Sequence, residues 1–341
     1  LFDPRKRVLT SSLQVGSSHI AEKTELARFF ILYTAYTYRH AYTEYMQIIL
    51  REAFQDHPLF TRLLELHDIP DQIYIEGTLP EITIDEYGRA TPRILTVVGS
   101  RKHTTYGEDA LRFLLSSLAN QPVVILSGLA FGIDTLAHKE ALRQNLITIS
   151  APGSGLDKKV IYPKQHLPLA EEILEKGGAL ISELPPLTQS APWVFPARNR
   201  IKAALSDAVL IIEAEEKSGT LITARLALEL GRDIGAVPGE IFSSTSDGTN
   251  MLLREGAHVI RNSKDLFDLL HLSHPEKEDE QASMLYTKDE SLLLSLLNEP
   301  KEKDILLLES GLTLSEFLTT LSALEMKGCV HETFGEVRKV V

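Results

Sequence analysis

The sequence predicts an α/β fold, a mostly parallel sheet covered by helices on both faces. Three observations carry that prediction. Short apolar runs alternate with helix-length segments from residue 93 to about 270, the order that builds strand-helix-strand units. The runs are apolar almost throughout, as strands buried on both faces must be. Small residues stand where each run hands over to a helix, as at Gly99-Ser100 and Ser127-Gly128, and such turns are where these sheets place a ligand crevice.

Taken in order, residues 20–67 read as helical. The segment Glu25 to Tyr33 runs into Tyr36, Tyr38, Tyr42 and Tyr45, then Met46, Ile48, Ile49 and Leu50; helix packing explains these aromatics more economically than base stacking does. Pro80 to Pro92 is rich in proline, glycine and charge, with Ile82-Thr83-Ile84 as an added edge strand, so a boundary is expected between residues 80 and 93. The first core strand is Leu95–Val98. A helix over Glu108–Ala119 follows, its leucines at 111, 114, 115 and 118 spaced three and four apart. Further strands are expected at Val123–Leu126, Asn145–Ser150, Ala179–Ser182, Ala208–Ile212, Ile234–Val237 and His258–Ile260. The helices between them are expected at His166–Lys176, Arg198–Leu205, Leu221–Leu230 and Lys264–Leu270.

Residues 271–288 are polar and charged, the composition of a linker. Beyond them three short helical patterns (Glu290–Leu297, Lys303–Glu309 and Ser315–Lys327, with Ser315 as N-cap) precede two short strands around Gly335. That is the pattern of a small winged-helix unit.

Composition narrows the function classes. A chain of 341 residues is long enough for two or three cores, and its one cysteine, Cys329, excludes a disulfide framework or a thiolate zinc cluster. Neither an apolar run of membrane-span length nor a secretion-signal pattern is present, so cytoplasm is the expected location. The net charge of −12 is unevenly spread. Residues 93–202 carry 13 Lys/Arg against 9 Asp/Glu, whereas residues 1–88, 203–260 and 261–341 are all net acidic. An anionic ligand therefore belongs with the glycine turns.

Those turns hold Gly99, Gly128, Gly132, Gly153, Gly155 and Gly219. Backbone N–H groups at a strand-to-helix turn cradle phosphate oxygens, although tight turns need glycine in any case. Cations sharpen the case: Arg101 and Lys102 follow the first turn, Lys158, Lys159 and Lys164 the third, and Arg198, Arg200 and Lys202 begin a later helix. So many cations suit a ligand with several phosphates. Arg198 and Arg200, about 200° apart around a helix, cannot share a face. One of them contacts ligand while the other braces an acid such as Glu183 or Asp207; Arg198 is the stronger candidate for ligand.

Enzyme signatures are missing. Gly99-Ser100-Arg101 does not open GxGxxG, and no GxxxxGK[ST] loop occurs. Asp134 and His138 share a helical face without a third residue at metal spacing, and Asp134 reads more simply as a helix-start carboxylate. Ser127 and Ser218 lack an evident histidine partner. These residues advertise binding, with no cofactor and no catalytic group.

With the residues in view, the chain resembles the DNA-processing protein A (DprA/Smf) family. The resemblance runs through Val97-Val98-Gly99-Ser100-Arg101, Ser127-Gly128-Leu129-Ala130-Phe131-Gly132-Ile133-Asp134 with His138, Gly153-Ser154-Gly155-Leu156-Asp157 and Ile161-Tyr162-Pro163. It continues through Ser182-Glu183, Phe195-Pro196-Ala197-Arg198-Asn199-Arg200-Ile201, Ser218-Gly219-Thr220, Ala236-Val237-Pro238-Gly239 and Gly248-Thr249-Asn250. It implies an extended Rossmann-like domain over residues 93–270, a helical N-terminal domain over 1–88 and a winged-helix domain over 289–341. The function it implies is sequence-independent binding of single-stranded DNA and loading of the RecA recombinase in transformation or recombination, by a homodimer that displaces single-strand-binding protein. The DNA contacts it implies are Gly99, Ser100, Arg101, Lys102, Ser127, Gly128, Phe131, Gly132, Lys164, Arg198, Arg200, Lys202, Ser218 and Gly219, with Arg101, the Gly128 and Gly132 loop, Lys164 and Arg198 foremost.

Two features depart from the family pattern. The first 90 residues lack a clear helix-hairpin-helix signal, and Ala151-Pro152 replaces an apolar-glycine opening. The expected second helix of the winged unit, Ser315 to Lys327, offers two acids and one lysine, which suits protein contact better than major-groove reading. A rival reading comes from Ser218-Gly219-Thr220, which resembles the loop of lysine-decarboxylase-like phosphoribohydrolases. Those enzymes carry an acid early in the next helix, and Leu221-Ile222-Thr223-Ala224 supplies none.

Overall fold

The computed structural model describes residues 46–85, 89–274, 286–297, 299–333 and 335–339. The tyrosines at positions 36, 38, 42 and 45, and most of the segment expected as a linker, lie outside them.

The expected alternation is present. Strands β5 (Arg93–Val98), β6 (Val123–Ser127), β7 (Thr148–Ser150), β8 (Ala179–Ser182), β9 (Ala208–Ile211), β10 (Asp233–Ala236) and β11 (His258–Val259) pair in parallel in the order β8-β7-β6-β5-β9-β10-β11. The fold is α/β with a Rossmann-like core. Side chains of β5 alternate between two buried layers, as a strand's period of two requires. Leu95 and Val97 pack with α1 (Thr105–Ser116), α2 (Ile133–Arg143) and α7 (Ser263–Leu269). Ile94 faces Ile201 and Leu205 of α4 (Val194–Leu205), while Val98 meets Leu221 and Ala224 of α5 (Gly219–Glu229). Leu111, Leu114 and Leu115 of α1 and Leu118 just past its end are all buried, each contributing about 1.5–3 kcal/mol relative to exposure. That helix starts earlier than its apolar spacing indicates, because the Thr104 side chain caps it by accepting from Gly107 N. Helix α3 (Leu167–Glu175) completes the β7-to-β8 crossover.

The expectation of helix up to residue 67 fails for residues 46–65. Met46–Leu50 is a strand, β1, followed by two single 3₁₀ segments at Arg51–Asp56 and Phe60–Glu65. Strand β2 (Gln72–Gly77) then pairs antiparallel with β8, extending the main sheet to nine strands with β1 at its edge. Phe54, Leu59, Phe60 and Leu63 are buried in the same core as Ile94 and Val124. Spacings of three and four suit 3₁₀ turns as well as α-helix, and only the buried sheet face chose between them. The edge strand expected at residues 82–84 forms instead a small hairpin, β3 (Thr83–Ile84) with β4 (Ala90–Thr91). A helix over Asp247–Arg254, α6, was hidden in the sequence by its Gly-Thr-Asn opening.

The C-terminal elements are α8 (Lys288–Leu296), β12 (Lys301–Glu302), α9 (Lys303–Ser310), α10 (Leu314–Met326), β13 (Val330–Thr333) and β14 (Glu336–Lys339). The three strands form an antiparallel sheet in the order β12-β14-β13 over a core that includes Leu293, Phe317, Leu321 and Val337. Thr313, not Ser315, caps α10: its hydroxyl accepts from Glu316 N, and the Glu316 carboxylate accepts from Thr313 N at 3.0 Å. This reciprocal pair satisfies two end donors, where Ser315, with Leu318 three residues on, would satisfy one. Among the described residues, no single helix is long and apolar enough to cross a membrane.

Candidate nucleic-acid interface

From β5 the chain winds outward through β6 and β7 to β8, then returns to place β9, β10 and β11 on the other side of β5. The strand order therefore reverses between β5 and β9, and the turns leaving those two strands diverge to open a crevice. A cavity of about 400 Å³ lies there, lined by Gly99, Ser100, Arg101 and Lys102 from one turn and Ser218, Gly219 and Thr220 from the other. Asp134, Phe195, Arg198, Asn199 and Lys202 also line it.

The turn bearing Arg101 is held from both sides. Thr220 Oγ1 donates to Gly99 O at 3.1 Å, and Ile133 N donates to Ser100 O at 3.1 Å. Gly132 makes this approach possible: its φ is +76°, and a Cβ there would collide with the Ser100 carbonyl and the Arg101 backbone. With its backbone fixed, the exposed Arg101 lays its guanidinium over the Phe195 ring at 5.1 Å. A planar cation on an aromatic face is preorganised to receive a phosphate.

Arg198 lines the cavity, but it also takes a bracing role that the sequence reading gave only to Arg200. It is 8% exposed, and its Nη1 donates to Gly128 O at 2.7 Å and Ala151 O at 2.5 Å. It ties the turn after β6 to the turn after β7, and Gly128 carries no side chain because one would collide with this guanidinium. Burial pulls the Arg198 pKa below its ordinary value, with Asp134 opposing that shift. Arg198 thus braces the cavity as well as lining it. Arg200 braces elsewhere, donating to Glu183. Asp207 is occupied by Arg62 at 2.9 Å, Arg93 at 3.1 Å and the backbone N–H of Ile94 at 2.7 Å.

The remaining candidates separate by exposure. Ser127 is fully buried and donates to Val97 O at 2.7 Å, so it has no surface to offer a strand. Ser218 caps α5 by accepting from Thr220 N. Phe131 is exposed, its ring edge-on to His166 with centroids 4.7 Å apart. Lys164 is exposed and, among the described residues, pairs with no acid.

The profile of the DNA recombination-mediator protein A family matches residues 52–271, more than half of the chain. The chain belongs to that family. Protein Smf of Escherichia coli is 36% identical over 277 residues, 79% of this chain and 71% of the relative. DNA processing protein DprA of Streptococcus pneumoniae is 37% identical over 225 residues, 64% of this chain and 76% of the relative. The crystal structure of the S. pneumoniae protein superposes with a TM-score of 0.57 at 32% identity, covering 67% of this chain and 75% of that one. DNA processing protein A from Helicobacter pylori, whose structure is described as giving insights into its single-stranded DNA binding mode, superposes with a TM-score of 0.54 at 31% identity, covering 66% and 95%.

In this member of the DprA/Smf family, Phe195 and Tyr162 join the site without having stood among the residues expected there. Phe195 lines the switch-point cavity, a hollow shared with Phe131, Tyr162 and Pro163, and a third depression walled by Lys159, Tyr162 and Pro192. Its ring lies 5.9 Å from that of Tyr162. The depressions thus share aromatic walls leading from the switch point past the Tyr162 ring. The signal was present in the Phe195-Pro196 pair ahead of Arg198, but only the fold brings it against Arg101.

His138 ties α2 to β7 beneath the site. Its Nδ1–H donates to Thr148 Oγ1 at 2.7 Å, and Thr148 Oγ1 donates to Ile125 O at 3.0 Å. Burial pushes its pKa from 6.5 to about 4. Between those values the unfolded chain binds a proton that the folded one refuses, so stability falls as pH drops through this window. The full contribution is about 3 kcal/mol. Urea midpoints at about pH 7 and pH 4.5 should therefore converge by about 2 kcal/mol in His138→Gln relative to wild type; an equal acid loss in both proteins would count against it.

Among the described residues, no group of three His, Cys, Asp or Glu side chains is placed to hold a metal.

Proposed function

We propose that this chain binds single-stranded DNA without sequence preference along the Arg101–Phe195–Tyr162 groove and delivers it to a recombinase as a non-enzymatic mediator. The observation that carries the reading is the convergence of the Gly99–Lys102 and Ser218–Thr220 turns, with Arg101 laid on Phe195, at the switch point. Phosphates would meet Arg101, Lys102 and the turn N–H groups, while bases stack on ring faces that carry no sequence code. Family membership supports the mediator role, and the subject of the H. pylori structure supports the ligand. RecA as the recombinase, a homodimer as the working form and competition with single-strand-binding protein complete the proposal on the family's pattern.

We assign residues 93–270, together with the strands and 3₁₀ segments that extend the sheet from residue 48, to the DNA-binding unit, and residues 289–341 to a winged-helix unit. The helix and strand order of the latter supports the name. Its α10 exposes Leu314, Leu318 and Met326 among acidic side chains, which favours a protein partner over duplex DNA.

The test is a salt series of binding to single-stranded and duplex DNA. A log–log slope of roughly −0.7 per phosphate contacted is expected for the single strand, with weaker duplex binding. Equal affinity for both forms would sink the reading. Release of base from nucleoside monophosphates at an enzymatic rate would instead establish the phosphoribohydrolase alternative.

A further inference from the structure

Lys202, one of the DNA contacts that the family resemblance implies, lies deeper in this cavity than Arg101 and Lys102 do. It follows Arg198 by four residues on α4, so the two share a helical face. Lys202 lines the cavity yet is only 2% exposed, and its ammonium has neither a hydrogen-bond acceptor nor an ion-pair partner among the described residues. Buried ammonium groups ordinarily have one. The charged groups that act on it are Arg198 on its own helix, Arg101 in the turn after β5 and Asp134 on α2; neighbouring His138 on α2 is neutral above about pH 4, and Lys102 and Glu215 stand at the cavity wall. Two guanidinium groups against the Asp134 carboxylate leave an excess of positive charge around an unpartnered lysine in a space large enough for a nucleotide.

We propose that one nucleotide phosphate enters this cavity and is met by the Lys202 ammonium, and that its entry is coupled to proton uptake by that lysine. This rests on the reading that the cavity receives nucleic acid. Burial first, then the Arg198 and Arg101 charges, pull the Lys202 pKa down to about 7, with Asp134 opposing. Near neutral pH the empty cavity therefore holds lysine in both forms. An anion beside it favours the charged form and draws a proton from solvent. Binding is insensitive to pH well below 7 and weakens as pH rises above 7, by up to about tenfold per pH unit until the pKa of the occupied state is reached.

The experiment uses the full chain with oligodeoxyadenylate lacking terminal phosphates, whose groups do not titrate between about pH 6.5 and 9, and with inorganic phosphate in a parallel arm. Calorimetry in two buffers of different ionisation enthalpy counts protons taken up. For wild type, uptake of about two-thirds of a proton per oligonucleotide at about pH 8 is expected, with affinity falling roughly tenfold between pH 7 and 9. In Lys202→Met, binding should be about tenfold or more weaker at pH 7 and flat with pH; in Lys202→Arg, which keeps its charge, binding should persist and be flat. An unchanged melting temperature in the methionine variant separates a binding defect from a folding defect.

Wild-type binding whose pH slope survives in Lys202→Met would overturn this inference while leaving the DNA reading intact. Absence of oligonucleotide binding at every pH would overturn the DNA reading. In that case, phosphate binding with proton uptake in wild type and not in Lys202→Met would retain Lys202 as an anion anchor, and no uptake would overturn that as well.

Discussion

Reversing the charge of Arg101 in Arg101→Glu is expected to weaken single-stranded DNA binding by roughly 30-fold or more at moderate salt, a loss of at least about 2 kcal/mol. The reason is where the side chain starts. Gly132 and Ile133 press against the Ser100 carbonyl and Thr220 holds the Gly99 carbonyl, so the turn presents Arg101 at little ordering cost. The Phe195 ring orients the guanidinium. Glutamate would remove a charge-assisted phosphate partner and set a carboxylate against the strand. The salt slope should become shallower by roughly 0.7, because one phosphate fewer is neutralised. Because Arg101 is exposed, the urea midpoint should stay within about 0.5 kcal/mol of wild type. Unchanged affinity at moderate salt would remove Arg101 from the interface. Arg101→Lys, which keeps charge but not the planar stack, should fall between the two.

Arg198→Ala should have the opposite signature, with a large loss of stability accompanying the loss of binding. The buried guanidinium joins Gly128 O to Ala151 O, and truncation leaves both carbonyls short of a donor and Asp134 facing less compensating charge. Breaking such a buried charged interaction costs about 3–5 kcal/mol. Relief of the repulsion that Arg198 exerts on Lys202 offsets part of this, so about 3 kcal/mol is expected net. The check is the urea midpoint, together with hydrogen exchange in the turns after β6 and β7, which should speed up locally. A midpoint shift under about 0.5 kcal/mol, the size of an ordinary surface change, would refute the bracing role.

These two arginines show how much of the site the sequence could disclose. Arg101 was legible because it sits in the strand-to-helix turn itself, where covalent neighbours already imply position. Arg198 and Arg200 were legible only as a pair that must diverge. That Arg200 braces Glu183 followed from that divergence; that Arg198 is itself buried beneath a glycine turn did not. Ser127 looked like a turn residue from its neighbours, and one strand position buried it. The segment from residue 46 to 65 misled for a related reason, since its apolar spacing matches helix and 3₁₀ turn alike.

The sequence by itself determined the parallel α/β core, the small-residue turns that end its strands, the one segment of positive charge and the family to which those blocks belong. The first three follow from local periodicity, turn chemistry and composition, and the family from the resemblance of the ordered blocks themselves. The tertiary structure alone decided which turns share a crevice, that Phe195 underlies Arg101, that Arg198 ties two turns from within, and that Lys202 lies buried without a partner among the described residues. Those properties depend on strand order and desolvation, which arise between residues far apart in the chain and leave no periodic mark along it.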